Sequence, residues 1–315
     1  MNKPITKGGS LLERAAEIYD FGSGLRLPPE PRIEPRPAPM QAESKPVEIA
    51  PAETAHPRPE PKPLPRRAAP LAGRSRQVDR EGLEAAGFIL PESGATGLAE
   101  EFRIVKRQLL LGARGATGIV EDKRQSILVC SARPGEGKTF CAVNLALSLA
   151  LEKDVEVLLV DGDFTNPEIL PVLGLEDGPG LIDAIADPSV DANAYVIGTD
   201  LAGLSVLPAG RRVNDATELL ASVRTREVLA SLIRGRPDRI VIFDSPPALM
   251  ASPAPVLAAL VGQVMMVVRA DETSESDLRE AIGLLSGCDS VSLLLNAASL
   301  AASGRRFGAY YGVER

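Results

Sequence analysis

The chain has 315 residues, 44% of them hydrophobic but only 3% aromatic, with a formal net charge of −7, one histidine and three cysteines. One histidine excludes catalytic centres and metal sites built on several imidazoles, and the spacing of the cysteines argues against a disulfide framework. The acidic balance argues against nucleic acid as a partner, and the hydrophobic content is sufficient for one large or two small domains with an aliphatic core.

The first part of the chain is predicted to hold a short helix followed by a linker. Ser10-Leu11-Leu12-Glu13 has the spacing of a capping box and begins an apolar face, which predicts a helix within residues 1–22. This helix could dock on a partner or pack on its own domain, and the pattern does not separate the two. About half of the 27 prolines lie between Pro28 and Pro70, so residues 23–77 are predicted to be a disordered, extended linker.

Structure is predicted to resume near residue 78, and residues 98–111 have the composition of a helix. Glu100, Arg103 and Lys106 recur at intervals of three and place charges of both signs on roughly one helical face. A solvated face is the default interpretation of such charges, and a charged contact between subunits is the alternative.

The stretch from Ser126 to Ala150 predicts a nucleotide-binding loop between a strand and a helix. An apolar run is followed by Ser-Ala-Arg-Pro-Gly-Glu-Gly-Lys-Thr and then by an alanine- and leucine-rich segment. Glycines let successive backbone N–H groups turn toward a phosphate, and the helix directs its positive end to the same point. Ala132 replaces the first glycine of the usual pattern. The residues predicted to contact the nucleotide are Pro134, Gly135, Glu136, Gly137, Lys138, Thr139 and Phe140.

From residue 125 onward, short aliphatic runs alternate with helical segments. Strands are predicted at 126–130, 155–160, 204–207, 239–243, 264–268 and 291–295, with helices at 139–151, 181–186, 217–233, 255–261 and 274–285. This alternation predicts an α/β P-loop NTPase fold over residues 78–303, with a mostly parallel sheet covered by helices on both faces. Residues 304–315 are predicted to be a flexible tail that carries Tyr310 and Tyr311.

Two of the predicted strands end in aspartates. Asp161 and Asp163 follow the second strand, and Asp244 ends a later one. Parallel strands deliver their carboxyl ends to the edge of the sheet where the phosphate loop lies. Oxygen ligands are what Mg2+ requires there, so the Thr139 hydroxyl is predicted to hold the metal, and the aspartates at these strand ends to supply further oxygen ligands or to bind its water.

Pro-Gly-Glu-Gly-Lys-Thr, Val-Asp-Gly-Asp and Phe-Asp-Ser-Pro-Pro, followed by a tail with two adjacent tyrosines, resemble the bacterial protein-tyrosine kinases, which are relatives of the MinD and ParA ATPases. More narrowly, segments such as Ser-Leu-Leu-Glu-Arg-Ala-Ala and Ala-Glu-Glu-Phe-Arg-Ile-Val-Lys-Arg are similar to the exosortase-associated tyrosine autokinases of exopolysaccharide loci. The likeness covers nearly the whole chain apart from the proline-rich linker.

This resemblance implies an enzyme that uses ATP and Mg2+ to phosphorylate tyrosines in the tail of a neighbouring subunit in a ring-like homo-oligomer. It implies that Lys138 neutralises phosphate charge, that Asp163 and Asp244 act on the metal, and that Asp161 accepts the proton of the tyrosine hydroxyl. The implied acceptors are Tyr310 and Tyr311. Glu100, Arg103 and Lys106 occupy the family's Glu-x2-Arg-x2-Arg subunit contact, with lysine in the last place.

The resemblance also implies a role in regulating exopolysaccharide polymerisation or export, with a membrane-embedded polysaccharide chain-length regulator as partner. No apolar run approaches the roughly 18 to 20 residues that span a bilayer, and the N-terminus lacks the apolar core of a signal peptide. We therefore expect a cytoplasmic protein that is peripheral to the inner membrane through its partner.

The sequence departs from the family where Thr165 and Asn166 stand in place of an arginine that often follows the Asp-x-Asp motif. Two alternative functions remain open. One is an ATPase switch of the MinD or ParA type, although Arg133-Pro134-Gly135 lacks the lysine which that class carries near the start of its phosphate loop. The other is a catalytically silent assembly factor that binds nucleotide for structure.

Overall fold

The structure is a computed structural model that describes residues 75–298 except for 93, 95, 116–118, 214–215 and 289. The predicted N-terminal helix, nearly all of the predicted linker and the C-terminal tail lie outside these residues. The domain boundaries proposed from the sequence therefore stay predictions, and within the described residues the first helix is Arg80–Ala85.

A seven-stranded sheet forms the centre of the described region, in the spatial order β3-β4-β2-β5-β1-β6-β7. Neighbouring strands are parallel except for β3 and β4. The strands are β1 (Ser126–Ser131), β2 (Glu156–Asp161), β3 (Ile197–Gly198), β4 (Leu204–Leu207), β5 (Arg239–Asp244), β6 (Gln263–Arg269) and β7 (Val291–Asn296). The mostly parallel P-loop fold is confirmed, with six of these strands predicted. The sequence missed β3, because two residues are too few to show a periodic pattern.

Helices cover both faces of the sheet. They are α1 (Arg80–Ala85), α2 (Gly97–Ala113), α3 (Lys138–Ala150), α4 (Ile169–Leu173), α5 (Leu181–Ala186), α6 (Ala216–Leu220), α7 (Val223–Ile233), α8 (Pro253–Ala258) and α9 (Glu275–Leu284), with a 3-10 turn at Ala192–Tyr195. None of the helices in these ranges combines the length and apolar character needed to cross a bilayer.

The predicted helix over 217–233 is two helices in the structure. Its first part ends at Leu220, and Ser222 begins the second part as an N-cap whose hydroxyl accepts from the Thr225 N–H at 3.3 Å. Serine is favoured at an N-cap because its hydroxyl satisfies a backbone N–H of the first turn. Ser222 therefore favours the start of a new helix over continuation of the preceding one.

The core has two layers because successive strand residues point to opposite faces of the sheet. In β1, Ile127 and Val129 pack with α2 and α3 on one face, while Leu128 and Cys130 pack with α5, α8 and α9 on the other. All six residues of β1 are buried, as expected for a central parallel strand with helices on both sides.

Lys106 lies in this core, against the expectation of a subunit contact. Its side chain is only 6% exposed, and its ammonium donates to the Ser148 carbonyl at 2.9 Å and pairs with Glu152 at 2.7 Å. The position is buried because α2 packs along α3, which brings the end of α3 over this lysine. Glu100 and Arg103 form an ion pair with each other on the outer side of α2 and remain the candidates for a contact between subunits.

Candidate active site

The phosphate loop lies between β1 and α3. Gly135 and Gly137 have φ angles of +80° and +91°, a region that side chains with a Cβ rarely adopt, and Gly137 is the N-cap of α3. This geometry turns the backbone so that the first N–H groups of α3 face the loop, where the positive end of the helix dipole favours an anion. The local structure is therefore that of a phosphate-binding loop.

The loop is held by side chains from the β6 and β7 side of the sheet. Asn296, the last residue of β7, donates its amide to the Glu136 carbonyl at 2.9 Å, and Arg269 donates to the Gly135 carbonyl at 2.9 Å. The Glu136 carboxylate is buried, accepts from the Arg133 N–H at 2.9 Å and accepts from the Thr273 hydroxyl. These bonds fix the course of the loop from one side.

Arg133 stands where an ATPase switch would carry lysine, and its guanidinium is directed away from the loop. It donates to both carboxylate oxygens of Asp277, at 2.7 and 2.9 Å, in the first turn of α9. A planar guanidinium matches a carboxylate in this bidentate way better than lysine can. The arginine therefore joins the loop to α9.

The predicted charged residues converge on the opposite side of the loop. The Lys138 ammonium pairs with Asp163 at 2.9 Å, and the Thr139 hydroxyl donates to Asp244 at 2.7 Å. Asp161 and Asp244 are direct neighbours in the register of β2 and β5. Two acidic strand ends, one ammonium and one hydroxyl thus meet at the carboxyl edge of the parallel strands.

The Asp161 carboxylate lies buried beside the cluster of charged residues. It is fully buried, does not line the cavity described below, and its two oxygens accept from the backbone N–H groups of Asp163 and Ile169 at 3.2 and 3.1 Å. Its carboxylate holds the loop that carries Asp163 and the start of α4. Each of these oxygens has a second lone pair, so the two hydrogen bonds do not prevent the carboxylate from accepting a proton, and the role of Asp161 as the base stays a prediction.

Burial and mutual repulsion shift the protonation of this cluster. Burial, followed by the charge of Asp244, raises the pKa of Asp161 to about 7, and burial raises the pKa of Asp244 to about 6. Burial acts against the charge on Lys138, but Asp244 and Asp163 together outweigh it, so the Lys138 pKa lies above its ordinary value. The ammonium therefore stays charged and can meet phosphate.

The donor set fits a divalent metal bridging two phosphates. Oδ1 of Asp244 is buried without a hydrogen-bond partner, while Oδ2 of the same residue accepts from Thr139. No group of three or more acidic, histidine or cysteine side chains within the described residues has the arrangement of a metal cluster. Mg2+ is usually held by one or two protein oxygens together with phosphate and water, and Thr139, Asp163 and Asp244 carry oxygens of this kind at the site; their role as metal ligands stays a prediction.

A cavity of about 600 Å³ opens from the phosphate loop toward β2 and β5. Besides loop residues, it is lined by Asp163, Thr165, Asn166 and Glu168 after β2, by Pro246, Pro247, Met250 and Ala251 after β5, and by Phe88, Phe140 and Val172. Thr165 and Asn166 both line the cavity; the Asn166 N–H donates to Asp163 at 3.1 Å and its side-chain amide donates to Glu168 at 2.7 Å. The sequence reasoning missed Phe88, Val172 and Met250, since none lies in a recognisable motif.

A glycine-rich loop between a parallel strand and a helix, with two aspartate-ending strands beside it, defines a P-loop NTPase, a class that binds nucleotide with a divalent metal. Residues 122–282 match the model of the ParA family, described as NUBPL iron-transfer P-loop NTPase. The tyrosine-protein kinase CpsD of Streptococcus pneumoniae serotype 4 is 30% identical over 161 residues, which are 51% of this chain and 69% of CpsD. The chain thus belongs to the ParA family of P-loop NTPases and to the bacterial tyrosine-protein kinases.

Other comparisons agree. The tyrosine-protein kinase YwqD of Bacillus subtilis (strain 168) is 28% identical over 218 residues, covering 69% of this chain and 87% of YwqD. The solved BceF tyrosine kinase domain shares 26% identity at a TM-score of 0.52, over 62% of this chain and 76% of that domain. The predicted resemblance to bacterial tyrosine kinases is confirmed, and the narrower resemblance to exosortase-associated autokinases stays a prediction.

Proposed function

We propose that this tyrosine-protein kinase transfers the γ-phosphoryl group of ATP to Tyr310 and Tyr311 in the tail of a neighbouring copy. The observation that carries this proposal is that Lys138, Thr139 and Asp163 line one cavity, with the buried Asp244 bonded to Thr139. Phosphoryl transfer depends mainly on positioning and on neutralising charge, and this arrangement offers both.

In the proposed reaction, the phenolic oxygen of tyrosine forms a bond to the γ-phosphorus with its own electron pair. The bond from that phosphorus to the bridging oxygen breaks, the bridging oxygen keeps the electron pair, and ADP leaves. Lys138 would neutralise charge on the β- and γ-phosphates. Mg2+ held by Thr139 and Asp244 would supply further positive charge between these phosphates.

The phenolic proton must go to a base. We propose Asp161 as this base, as the resemblance implies, and Asp163, which lines the cavity whereas Asp161 does not, as the alternative. Bound phosphates would compete with Asp163 for Lys138, which would leave a carboxylate oxygen of Asp163 free to accept the proton. The transition state is loose, so this base contributes less than the charge stabilisation does.

The proposal includes transfer between copies, and the length of the tail allows transfer either within one copy or between two. Tyr310 lies 14 residues beyond the end of β7, a span of up to about 46 Å when extended. β7 is four places from β2 in the sheet, or about 19 Å at ordinary strand spacing. The tail could therefore reach its own site or that of another copy.

Mixing two variants tests the proposal. One copy carries Lys138→Met and keeps its tyrosines, and the other carries Tyr310→Phe and Tyr311→Phe and keeps its lysine. With labelled ATP and Mg2+, we expect phosphotyrosine on the Lys138→Met copy only in the mixture. Label on the wild type but not in the mixture would contradict transfer between copies, free phosphate without label would favour an ATPase switch, and neither product would favour a silent assembly factor.

We further propose that the kinase regulates exopolysaccharide polymerisation or export beside a membrane-embedded chain-length regulator, at the cytoplasmic face of the inner membrane. The resemblance to autokinases of exopolysaccharide loci supports this role. Co-expression with the candidate regulator should bring the kinase into the membrane fraction. An unchanged distribution with and without the regulator would contradict it.

A further inference from the structure

The cavity beside the phosphate loop has an apolar wall that the chemistry of phosphates does not require. Phe88 and Phe140 form this wall with Val172, and all three side chains are half-buried. The two rings lie with centroids 4.9 Å apart and planes inclined by 41°, within the range of a favourable aromatic pair. The wall therefore presents aromatic surface to whatever enters the cavity.

Phe88 is held in position by the buried side chain of Asn144. Oδ1 of Asn144 accepts from the Ile89 N–H at 2.8 Å, and its amide donates to the Phe140 carbonyl at 3.0 Å. Gly87, with a φ of +79°, turns the chain immediately before Phe88. One fully buried amide thus fixes the segments that carry both rings, and the wall is formed in advance.

The wall lies on the side of the loop where the γ-phosphate is expected. On the β6 and β7 side, Asn296 and Arg269 bond directly to the loop backbone. The metal-binding pair of Thr139 and Asp244 and the Lys138–Asp163 pair lie on the β5 and β2 side, onto which the cavity opens. Lys138, Thr139 and Asp163, which would hold the outer phosphates and Mg2+, all line this cavity, so the outer end of a bound triphosphate would lie beside it.

We propose that the wall of Phe88, Phe140 and Val172 receives the aromatic ring of the acceptor tyrosine, supplied by residues 304–315 of a second copy. This inference rests on the proposed function and names a binding surface for it. Ring against ring is a favourable contact, and a phenol seated there would share the cavity with Lys138 and Asp163.

Charge at the rim fits the same occupant. Glu168 lines the cavity with an exposed side chain, and Asp163 lies deeper in it. The tail has Arg305 and Arg306 a few residues before its tyrosines. A basic segment that enters past an acidic rim is favoured over an acidic one.

Steady-state kinetics with a separate acceptor tests the inference. The enzyme is the full chain with Tyr310→Phe and Tyr311→Phe, and the acceptor is a synthetic peptide with the sequence of residues 304–315. Adding Phe88→Ala should raise the KM for the peptide by about tenfold, as expected for a lost aromatic contact, with little change in the Kd of a fluorescent ATP analogue. Val223→Ala, an exposed apolar side chain outside the cavity, is the matched control and should change neither value.

Peptide inhibitors keep the test decisive even if Phe88→Ala fails to fold. A peptide with both tyrosines replaced by phenylalanine keeps the rings and should inhibit the unaltered enzyme competitively, whereas one with both replaced by alanine should inhibit at least tenfold less. Equal inhibition by the two peptides would overturn the inference.

Other outcomes separate the inference from the proposed function. A weaker Kd for the ATP analogue with an unchanged KM for the peptide would show that the wall binds adenine and would overturn the inference alone. No change in either value would leave the wall a packing feature and overturn it as well. If the enzyme transfers no phosphate to the peptide or to any tail, the proposed function fails and takes the inference with it.

Discussion

Replacing Gly137 by alanine would place a methyl group about 2.2 Å from the side-chain amide of Asn296, at a backbone φ of +91°. Two atoms that are not bonded cannot approach this closely, so the Asn296 side chain would have to move and give up its hydrogen bond to the Glu136 carbonyl. Gly135 has a similar φ of +80° but no atom within 4 Å of the corresponding methyl position. Gly135→Ala therefore introduces backbone strain alone, whereas Gly137→Ala introduces the same strain together with a steric clash.

The cost of each change follows from these contacts. An alanine in the left-handed region costs about 1–2 kcal/mol, which both variants share. Gly137→Ala also loses a hydrogen bond worth about 0.5–1.5 kcal/mol and displaces a packed amide. The loop of each variant would relax when no nucleotide is bound, and nucleotide binding would force it back into the strained conformation. The strain energy would therefore be subtracted from the binding free energy. We therefore expect nucleotide affinity to fall by about 5- to 30-fold for Gly135→Ala and by about 10- to 300-fold for Gly137→Ala.

Titration of a fluorescent ATP analogue in Mg2+ measures both affinities, and a thermal melt confirms that each variant is folded. Combining Gly137→Ala with Asn296→Ala removes the steric contact and should recover part of the affinity lost in the single variant. Equal losses for the two glycine variants, or no recovery in the combined variant, would refute the view that Asn296 sets the course of the loop.

Three further changes test the core and the metal site. Asn144→Leu should destabilise the fold by about 1–3 kcal/mol in urea unfolding, because it leaves the buried Ile89 N–H without a partner; a cost below 0.5 kcal/mol, on the same scale, would contradict that role. Lys106 lowers the pKa of Glu152, so this carboxylate stabilises the fold above its unfolded pKa, and the contribution is lost as the pH falls through the lower folded pKa. Glu152→Gln should therefore lower the free energy of unfolding by about 0.5–1 kcal/mol at pH 7, and by almost nothing at a pH low enough to protonate Glu152 in the unaltered protein. A cost independent of pH would exclude the ion pair as its source. Asp244→Asn should abolish the strengthening of nucleotide binding by Mg2+ while Thr139 keeps an acceptor, and an undiminished Mg2+ effect would remove Asp244 from the metal site.

The sheet was predictable because each central strand is buried on both faces. Such strands leave uninterrupted aliphatic runs, as in β1 and β5, and their polar residues appear only at the ends. Asp161 and Asp244 could be expected at one edge for the same reason, and the register of β2 and β5 makes them neighbours. The fold and the meeting of the charged residues thus follow from local patterns.

Lys106 shows where a local pattern misleads. A lysine among glutamates and arginines suggests a solvated face, yet Phe102, Leu109 and Leu110 place it within the buried stripe of α2. That spacing was a signal in the sequence. What the sequence does not show is the set of acceptors for the buried ammonium, because Ser148 lies in the last turn of α3 and Glu152 just after that helix.

The contacts that shape the cavity are remote in sequence and have no motif. Ile89 and Asn144 are 55 residues apart, and Glu136 and Asn296 are 160 residues apart. Each bond joins a backbone group to an amide side chain, a combination that occurs throughout proteins and carries no pattern of its own. Only the tertiary arrangement shows that these two asparagines support the phosphate loop and the wall beside it.

The two ends of the sheet differ in how they could meet other chains. On one side the sheet finishes in the two antiparallel residues of β3, whereas on the other it finishes in β7, six residues long. Within the described residues nothing pairs with the outer edge of β7, and Leu293 and Leu295 are more than half exposed there. A long, unpaired apolar edge strand can pair with a strand of another chain, so the protein should self-associate through β7 at high concentration. Leu293→Lys should prevent this association.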